Sequence, residues 1–329
     1  MLHVVVTMIS LMAGDAQAMT LDGLSAALRA DQATAASWSV MFQGRQERFV
    51  LEPWTVLTPD AQVIVQGDGG VRQADLGQLR MWSGHLARDA ESRVFIAASA
   101  HGLNGWIVAD DVTWVLSDDR GTGPVTVADA RTLDGVLPPS CQVRAPEGVP
   151  APVRGQAVRG EFPPCRVAVL AIDTDAEFTI DTFGGDADAA AAYAVTLAGG
   201  SSQIFFDDIR TRFEVDFVRV WDTEDDPYGQ GGDLLDEFRN EWRSNMTHIE
   251  RSVAHIFSGR TDLPYGGVAW LSVVCNDDWG YAVSGYLSGS FPQPIEDDHP
   301  DNWDLLVVSH ELGHNFGTLH THDGFSPPI

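Results

Sequence analysis

His310-Glu311-Leu312-Gly313-His314-Asn315-Phe316-Gly317-Thr318-Leu319-His320 decides the reading of this chain. The run spells H-E-x-x-H-x-x-G-x-x-H with all five fixed positions filled. On a helix, His310 and His314 are four apart, so both imidazoles leave one face and can share a metal ion. Glu311 lies about 100° round from His310 and about 60° from His314. That offset lets its carboxylate reach a water on the metal without competing as a ligand. Gly317 can take positive φ and turn the chain sharply out of the helix, and His320 then returns as a third nitrogen ligand. Three protein ligands leave one position for water, the arrangement of a catalytic rather than a structural zinc. At roughly one in 20 per fixed letter, a chance match in a chain of this length is about one in 10⁴. Gly317 and His320 carry most of that discrimination against the bland alternative, a buried amphipathic helix with satisfied histidines.

HELGHNFGTLH resembles the zinc helix of the metzincin metallopeptidases, and HELGHNFG is most similar to the reprolysin (adamalysin, ADAM-type) branch. One departure stands out. In reprolysins the third histidine is usually followed directly by Asp, whereas here the run is His320-Thr321-His322-Asp323. Spacing favours His320 as the ligand, with His322 a weaker competitor. The resemblance implies one catalytic Zn2+ held by His310, His314 and His320, with Glu311 as general base and proteins or peptides as substrates. The remaining histidines quoted from the chain (His85, His101, His248, His255, His299) lack ligand spacing and read as structural or surface residues.

Composition bounds the alternatives. The chain has 329 residues, enough for two domains, and 47 Asp and Glu against 20 Lys and Arg give a net charge of −27. Nucleic acid is excluded as a partner, because phosphate binding needs basic patches. The acidity fits a solvated extracellular surface; Ca2+ is compatible with it, but no spacing matches a calcium loop. Val4 to Ala13 is an apolar run too short to span a bilayer, and Ala16-Gln17-Ala18 has the form of a signal-peptidase site. No Lys or Arg precedes the run, so a buried first helix stays open as an alternative. No later stretch reaches the length of a transmembrane helix. Residues 1–18 are therefore expected to be a signal peptide, and the protein to be secreted. Oligomeric state is not legible.

Upstream of the zinc motif the chain divides into parts of different character. Residues 19–136 open with helical spacing from Leu21 to Ala30 and continue as short β-type runs: Trp38–Phe42, Arg48–Leu51, Val63–Val65, Val94–Ala97 and Trp106–Val108. The successive features Trp82-Ser83-Gly84-His85, Ser92 to Ala97 and Gly102 to Ile107 resemble reprolysin propeptides. A free-standing adhesion domain is the alternative. Residues 137–164 are rich in Pro, Gly, Ala and Arg without hydrophobic period and read as a linker. This linker holds Pro138-Pro139-Ser140-Cys141-Gln142-Val143 and single arginines, among them Arg144, Arg154 and Arg159. In metzincins a propeptide cysteine can bind the zinc as thiolate and keep the enzyme latent; Cys141 fits that role by position. A disulfide from Cys141 to Cys165 is the competing reading, and the third cysteine, Cys275, then lacks a partner within this sequence.

From Arg166 the order turns α/β. Val167–Ile172 is a continuous apolar run suited to a strand covered on both faces. Asp186–Phe206 and Leu234–Met246 read as helices, while Phe213–Val220, Val253–Phe257, Gly267–Leu271 and Tyr281–Tyr286 read as strands. The order, together with HIFSGR at His255–Arg260, resembles a metzincin N-terminal subdomain. In that family an edge strand shortly before the zinc helix pairs with extended substrate. Here it would be Gly267, Val268, Ala269 and Trp270, and strand addition holds a peptide through backbone bonds that tolerate many side chains. Asp301 is expected to cap the zinc helix, with Asp304 three residues later. Leu305, Val308, Leu312 and Phe316 form a stripe that should pack on the sheet, and Trp303, Val307, His310 and His314 occupy the opposite side, which points the histidines into a cleft.

The expected architecture is thus an α/β (α+β) metzincin-like catalytic domain over residues 165–329, with a twisted, mostly parallel sheet and a central zinc helix, preceded by a β-rich propeptide domain. The resemblance also implies a C-terminal subdomain with a Met-turn beneath the zinc. No methionine follows Met246 and the sequence runs only nine residues past His320, so it reads as a fragment, with a naturally shortened relative as the alternative. The expected function is that of a secreted zinc endopeptidase precursor. The alternative is an extracellular binding or adhesion protein that keeps the zinc-binding fold without hydrolysis.

Overall fold

The computed structural model describes residues 18–30, 36–130, 139–148, 166–229, 231–291 and 303–320. The apolar run before Ala18, most of the linker, Cys165, Asp301 and His322 lie outside them. Helix α1 (Leu21–Arg29) starts at Thr20, whose hydroxyl accepts from the Gly23 amide at 3.1 Å. Then come β1 (Ala36–Phe42), β2 (Arg45–Trp54), β3 (Leu57–Gly67), β4 (Gly70–Gln73), β5 (Arg80–Leu86), β6 (Asp89–Ser99), β7 (Gly102–Ala109), β8 (Val112–Ser117), β9 (Thr126–Asp129) and β10 (Gln142–Arg144). The second half runs β11 (Arg166–Thr174), α2 (Ala187–Ile209), β12 (Thr211–Trp221), α3 (Leu234–Asn245), β13 (Val253–Phe257), β14 (Gly267–Trp270), β15 (Tyr281–Ser284) and α4 (Trp303–Asn315).

Two sheets result, and the fold is mixed α/β. The first is antiparallel, in the order β1-β2-β5-β6-β7-β8-β9. Along β6 the pleat divides the side chains: Val94, Ile96 and Ala98 face the cluster containing Leu24 and Leu28 of α1, while Phe95 and Ala97 face α2. Both faces are covered, which explains why Val94–Ala97 reads as an unbroken apolar run.

The second sheet has the order β10-β14-β15-β13-β11-β12-β3-β4. All neighbouring pairs are parallel except β14·β15 and β3·β4. Helices α2 and α4 pack on one face against Leu170, Ile172, Val218 and Val253, while α3 packs on the other against Ala171, Phe217, Ala254 and Ile256. Alternate residues of the same strands supply the two cores.

This sheet draws strands from both sides of the linker. Hairpin β3–β4 extends it, with Gln62–Gln66 in parallel register with Phe217–Trp221. Trp54, Phe95 and Trp106 of the N-terminal half belong to the same core cluster as α2 and α4, each buried aromatic contributing roughly 1.5–3 kcal/mol. Close approach requires Gly199 and Gly200 in the middle of α2: a Cβ at Gly200 would meet Leu305 at 2.9 Å and Trp106 at 3.2 Å. The Trp54 indole N–H donates to the Gly199 carbonyl at 3.1 Å.

Three local expectations are corrected. Residues 142–144, inside the stretch whose composition reads as linker, form strand β10, which is too short to show a period. Strand β14 is not a free edge, because β10 lies against it in parallel, with Gln142 opposite Val268, Val143 opposite Ala269 and Arg144 opposite Trp270. Finally, the side of α4 carrying Trp303 and Val307 is buried as well as the Leu305, Val308 and Leu312 stripe. Among the described residues, no helix is long and apolar enough to cross a membrane.

Candidate metal centre

Helix α4 is fixed at both ends before it presents any ligand. Near its start, the buried Asp304 carboxylate accepts from the Tyr193 hydroxyl at 2.8 Å and from the amides of Ser288 and Gly289, each at 2.8 Å at its closest. Asp304, expected to favour the helix N-terminus by its charge, does sit in the first turn and is also an interior anchor, with burial raising its pKa. At the far end, the Asn315 amide donates to the carbonyls of Trp270 at 2.8 Å and Tyr281 at 3.2 Å, tying the helix to β14 and β15. Phe316 packs edge-on against Phe205, with ring centroids 5.2 Å apart.

Gly317 then ends the helix as its sequence position suggests. Its φ is +101°, and the Thr318 and Gly317 amides donate to the carbonyls of Gly313 at 3.0 Å and His314 at 2.9 Å. This is the paired 6→1 and 5→2 closure of a left-handed C-cap. It brings Leu319 and His320 back across the helix end.

The three expected histidines converge. Nε2 of His310 and His314 are 3.0 Å apart, those of His314 and His320 3.2 Å, and those of His310 and His320 3.1 Å. His314 Nδ1 lies 2.8 Å from the Thr318 carbonyl. A carbonyl only accepts, so Nδ1 carries the proton and Nε2 turns its lone pair towards the other two rings. Burial first, and then the neighbouring imidazoles, hold the His310 pKa down to about 3. Neutral imidazoles with converging lone pairs are a metal-binding donor set. Tetrahedral nitrogen ligands about a zinc ion are separated by about 3.3 Å, close to the spacing found, so these residues fit that ion.

Glu311 is fully buried beside this triangle, and neither carboxylate oxygen meets a hydrogen-bond partner at ordinary distance. Burial drives its pKa well up, and the Cys141 thiol is the one group that acts in the opposite sense. Ligand-type atoms of Cys141, His310 and Glu311 lie within 4.8 Å of one another. Cys141 and Cys275 are both free thiols; Cys275 is exposed and far from this role. Burial, followed by the Glu311 charge, raises the Cys141 pKa.

Cys141 is placed by the strand that follows it. Besides the β10·β14 ladder, the Gly266 amide donates to the Pro139 carbonyl at 2.9 Å and the Leu271 amide to the Arg144 carbonyl at 2.8 Å. The expected substrate strand Gly267, Val268, Ala269 and Trp270 is therefore next to the metal centre, but β10 covers it. Of the remaining histidines, His255 is buried, with Nε2 2.8 Å from the Ser284 hydroxyl, and takes no part in the centre.

Sequence reasoning passed over Arg144 as one linker arginine among several. Its guanidinium forms two bonds to the Asp233 carboxylate, at 2.8 and 2.7 Å, and stands 5.9 Å from the Tyr265 ring centroid. The only available signal was the position of Arg144 three residues after Cys141.

No curated protein matches the chain. Among solved structures, the fold is similar to the crystal structure of metalloproteinase-II from Bacteroides fragilis, with a TM-score of 0.49 and 9% identity over 92% of this chain and 86% of that one. The Reprolysin_5 family model, described as metallo-peptidase family M12, matches residues 164–328, which contain His310, Glu311, His314 and His320. That match takes in half of the sequence, and the chain belongs to metallo-peptidase family M12.

Proposed function

We propose that this M12 metallopeptidase is a secreted, latent zinc endopeptidase of the reprolysin type. The observation that carries the reading is the triangle of His310, His314 and His320 nitrogens beside a buried, unpartnered Glu311. M12 metallopeptidases use zinc, which when bound supplies a Lewis acid that polarises a carbonyl and acidifies water.

The protein's own residues do the rest. The three imidazoles hold the ion in their neutral form. Glu311 takes the proton of the attacking water and returns it to the leaving amine nitrogen. Its desolvation raises its basicity towards the working range of a general base. Substrate lies extended along β14, bonded through its backbone as β10 is bonded now.

Latency follows from the same placement. In this reading the Cys141 thiol, close to His310 and Glu311, takes the place of the nucleophilic water, and β10, paired with β14, occupies the strand that substrate would use. The N-terminal unit acts as the pro-region that carries this segment. Export and the A-x-A processing site at Ala16–Ala18 belong to the same reading.

One observation favours the other reading, a non-hydrolytic extracellular binding protein: β3 and β4 are integral to the catalytic sheet, as expected of a permanent domain. Hydrolysis separates the two. The zinc-loaded full chain, with Cys141 blocked by an organomercurial, is incubated with an unstructured protein substrate. Cleavage that a chelator abolishes and added zinc restores supports the peptidase; intact substrate under all conditions supports the binding protein.

A further inference from the structure

We infer that Asp233, with Tyr265 beside it, forms a substrate subsite for a basic side chain, and that Arg144 fills this subsite in the latent chain. The inference rests on the peptidase reading above and adds a substrate preference to it.

The pleat makes the argument. Cys141 faces α4 and the metal centre, whereas Arg144, three residues on, reaches the opposite face of the sheet, where α3 packs. Asp233 is the N-cap of α3 and also accepts the Asp236 amide at 3.4 Å. The Tyr265 hydroxyl stands 3.5 Å from the same carboxylate. The bonds to Asp233 raise the Arg144 pKa, with a smaller share from the Asp236 charge, and Arg144 in turn holds the Asp233 pKa down against its burial. A planar guanidinium is bound in fork geometry that a lysine or a neutral side chain cannot reproduce.

None of this depends on the pro-segment as such. Any strand added to β14 places alternate side chains on the α3 face, whichever way it runs. A residue about 10 Å along the strand from the reacting centre, three residues at strand spacing, meets Asp233. When β10 leaves, it exposes a carboxylate already held in place by the helix start. The direction of the bound peptide decides only whether the preferred Arg lies on the amino or the carboxyl side of the cut.

The test uses the full chain carrying Cys141→Ser and Arg144→Gln, which removes the side chains held at the centre and at Asp233 and leaves only the short β10 backbone ladder for a peptide to displace. It is loaded with zinc and given a peptide series in which one Arg is walked from four residues before to four residues after the cleaved bond. Two to four residues from the bond, Arg over Gln is expected to raise kcat/KM by about five- to tenfold, the range of a partly exposed, bidentate charged pair. Adding Asp233→Asn, which retains the helix cap, is expected to reduce this ratio to about one. Peptides cleaved with the same Arg-to-Gln ratio in both backgrounds overturn the subsite while leaving the peptidase standing. Failure to cleave any peptide overturns both.

Discussion

Cys141 and Glu311 stand together beside the histidine triangle, their ligand-type atoms within 4.8 Å of each other and of a His310 nitrogen. Each group is costly there in its charged form. Burial pushes both the thiol and the carboxyl up, and the carboxylate pushes the thiol further. A thiolate in this position needs a cation to offset those effects, and the three-histidine triangle provides a place for one.

Replacing Cys141 with serine removes the soft ligand but keeps its volume. The unprocessed Cys141→Ser chain should hydrolyse peptide substrate about tenfold faster or more, since each 1.4 kcal/mol of lost ligation is a factor of ten. Steady-state cleavage of a fluorogenic peptide by the two intact precursors checks this. Equal latency in both would remove Cys141 from the inhibitory role.

Gly317 tests how the third ligand is delivered. At φ of +101° a side chain is strained, and a Cβ would meet the Ser272 hydroxyl at 2.6 Å. Gly317→Ala should cost about 1–3 kcal/mol of stability. By displacing His320 it should also weaken zinc binding by about 10- to 100-fold. Denaturant titration and competition with a metal indicator read the two effects separately.

His255 sets a pH dependence in the sheet beneath the centre. Burial lowers its pKa from 6.5 to about 3. The unfolded chain therefore takes up this proton first, and stability contributed at neutral pH is lost as pH falls through that window, at up to about 1.4 kcal/mol per pH unit. Asp175, raised to about 7, and Asp226, raised to about 6, act with the opposite sign, because the folded state protonates them first. The informative quantity is thus the difference in slope between His255→Leu and the unaltered chain. The variant should lose less stability per unit on acidification from 6.5 to 4, and parallel slopes would contradict the assignment.

Because β3 pairs with β12 and Trp54, Phe95 and Trp106 share a core with α2, cutting the linker should not separate the halves. Cleavage at a protease recognition site engineered between residues 149 and 165 is expected to give two fragments that co-elute in native size-exclusion chromatography and part only in denaturant. Spontaneous separation would show that the shared core contributes little.

The zinc helix was legible because its constraints are local: residues four apart share a helix face, and a glycine is needed where the chain reverses. Helices α2 and α3 were found to within a few residues for the same reason. What escaped the sequence depends on distant partners. The pairing of β3 with β12 joins segments more than 140 residues apart and leaves no periodic mark in either. Strand β10 spans only three residues, and its meaning comes from β14 and from Asp233. Asp304 read only as a helix-start charge because nothing in the sequence shows that Tyr193, Ser288 and Gly289 surround it.

The central claim is that Glu311 moves the proton while the three histidines hold the metal. Peptide hydrolysis by the Cys141→Ser chain with and without Glu311→Gln, with zinc content measured on the same samples, tests it most directly. The expected result is equal zinc content and a rate reduced by about 10²- to 10⁴-fold, the range of general acid–base catalysis. A zinc-loaded Gln variant that cleaves within a few-fold of its parent would contradict the claim.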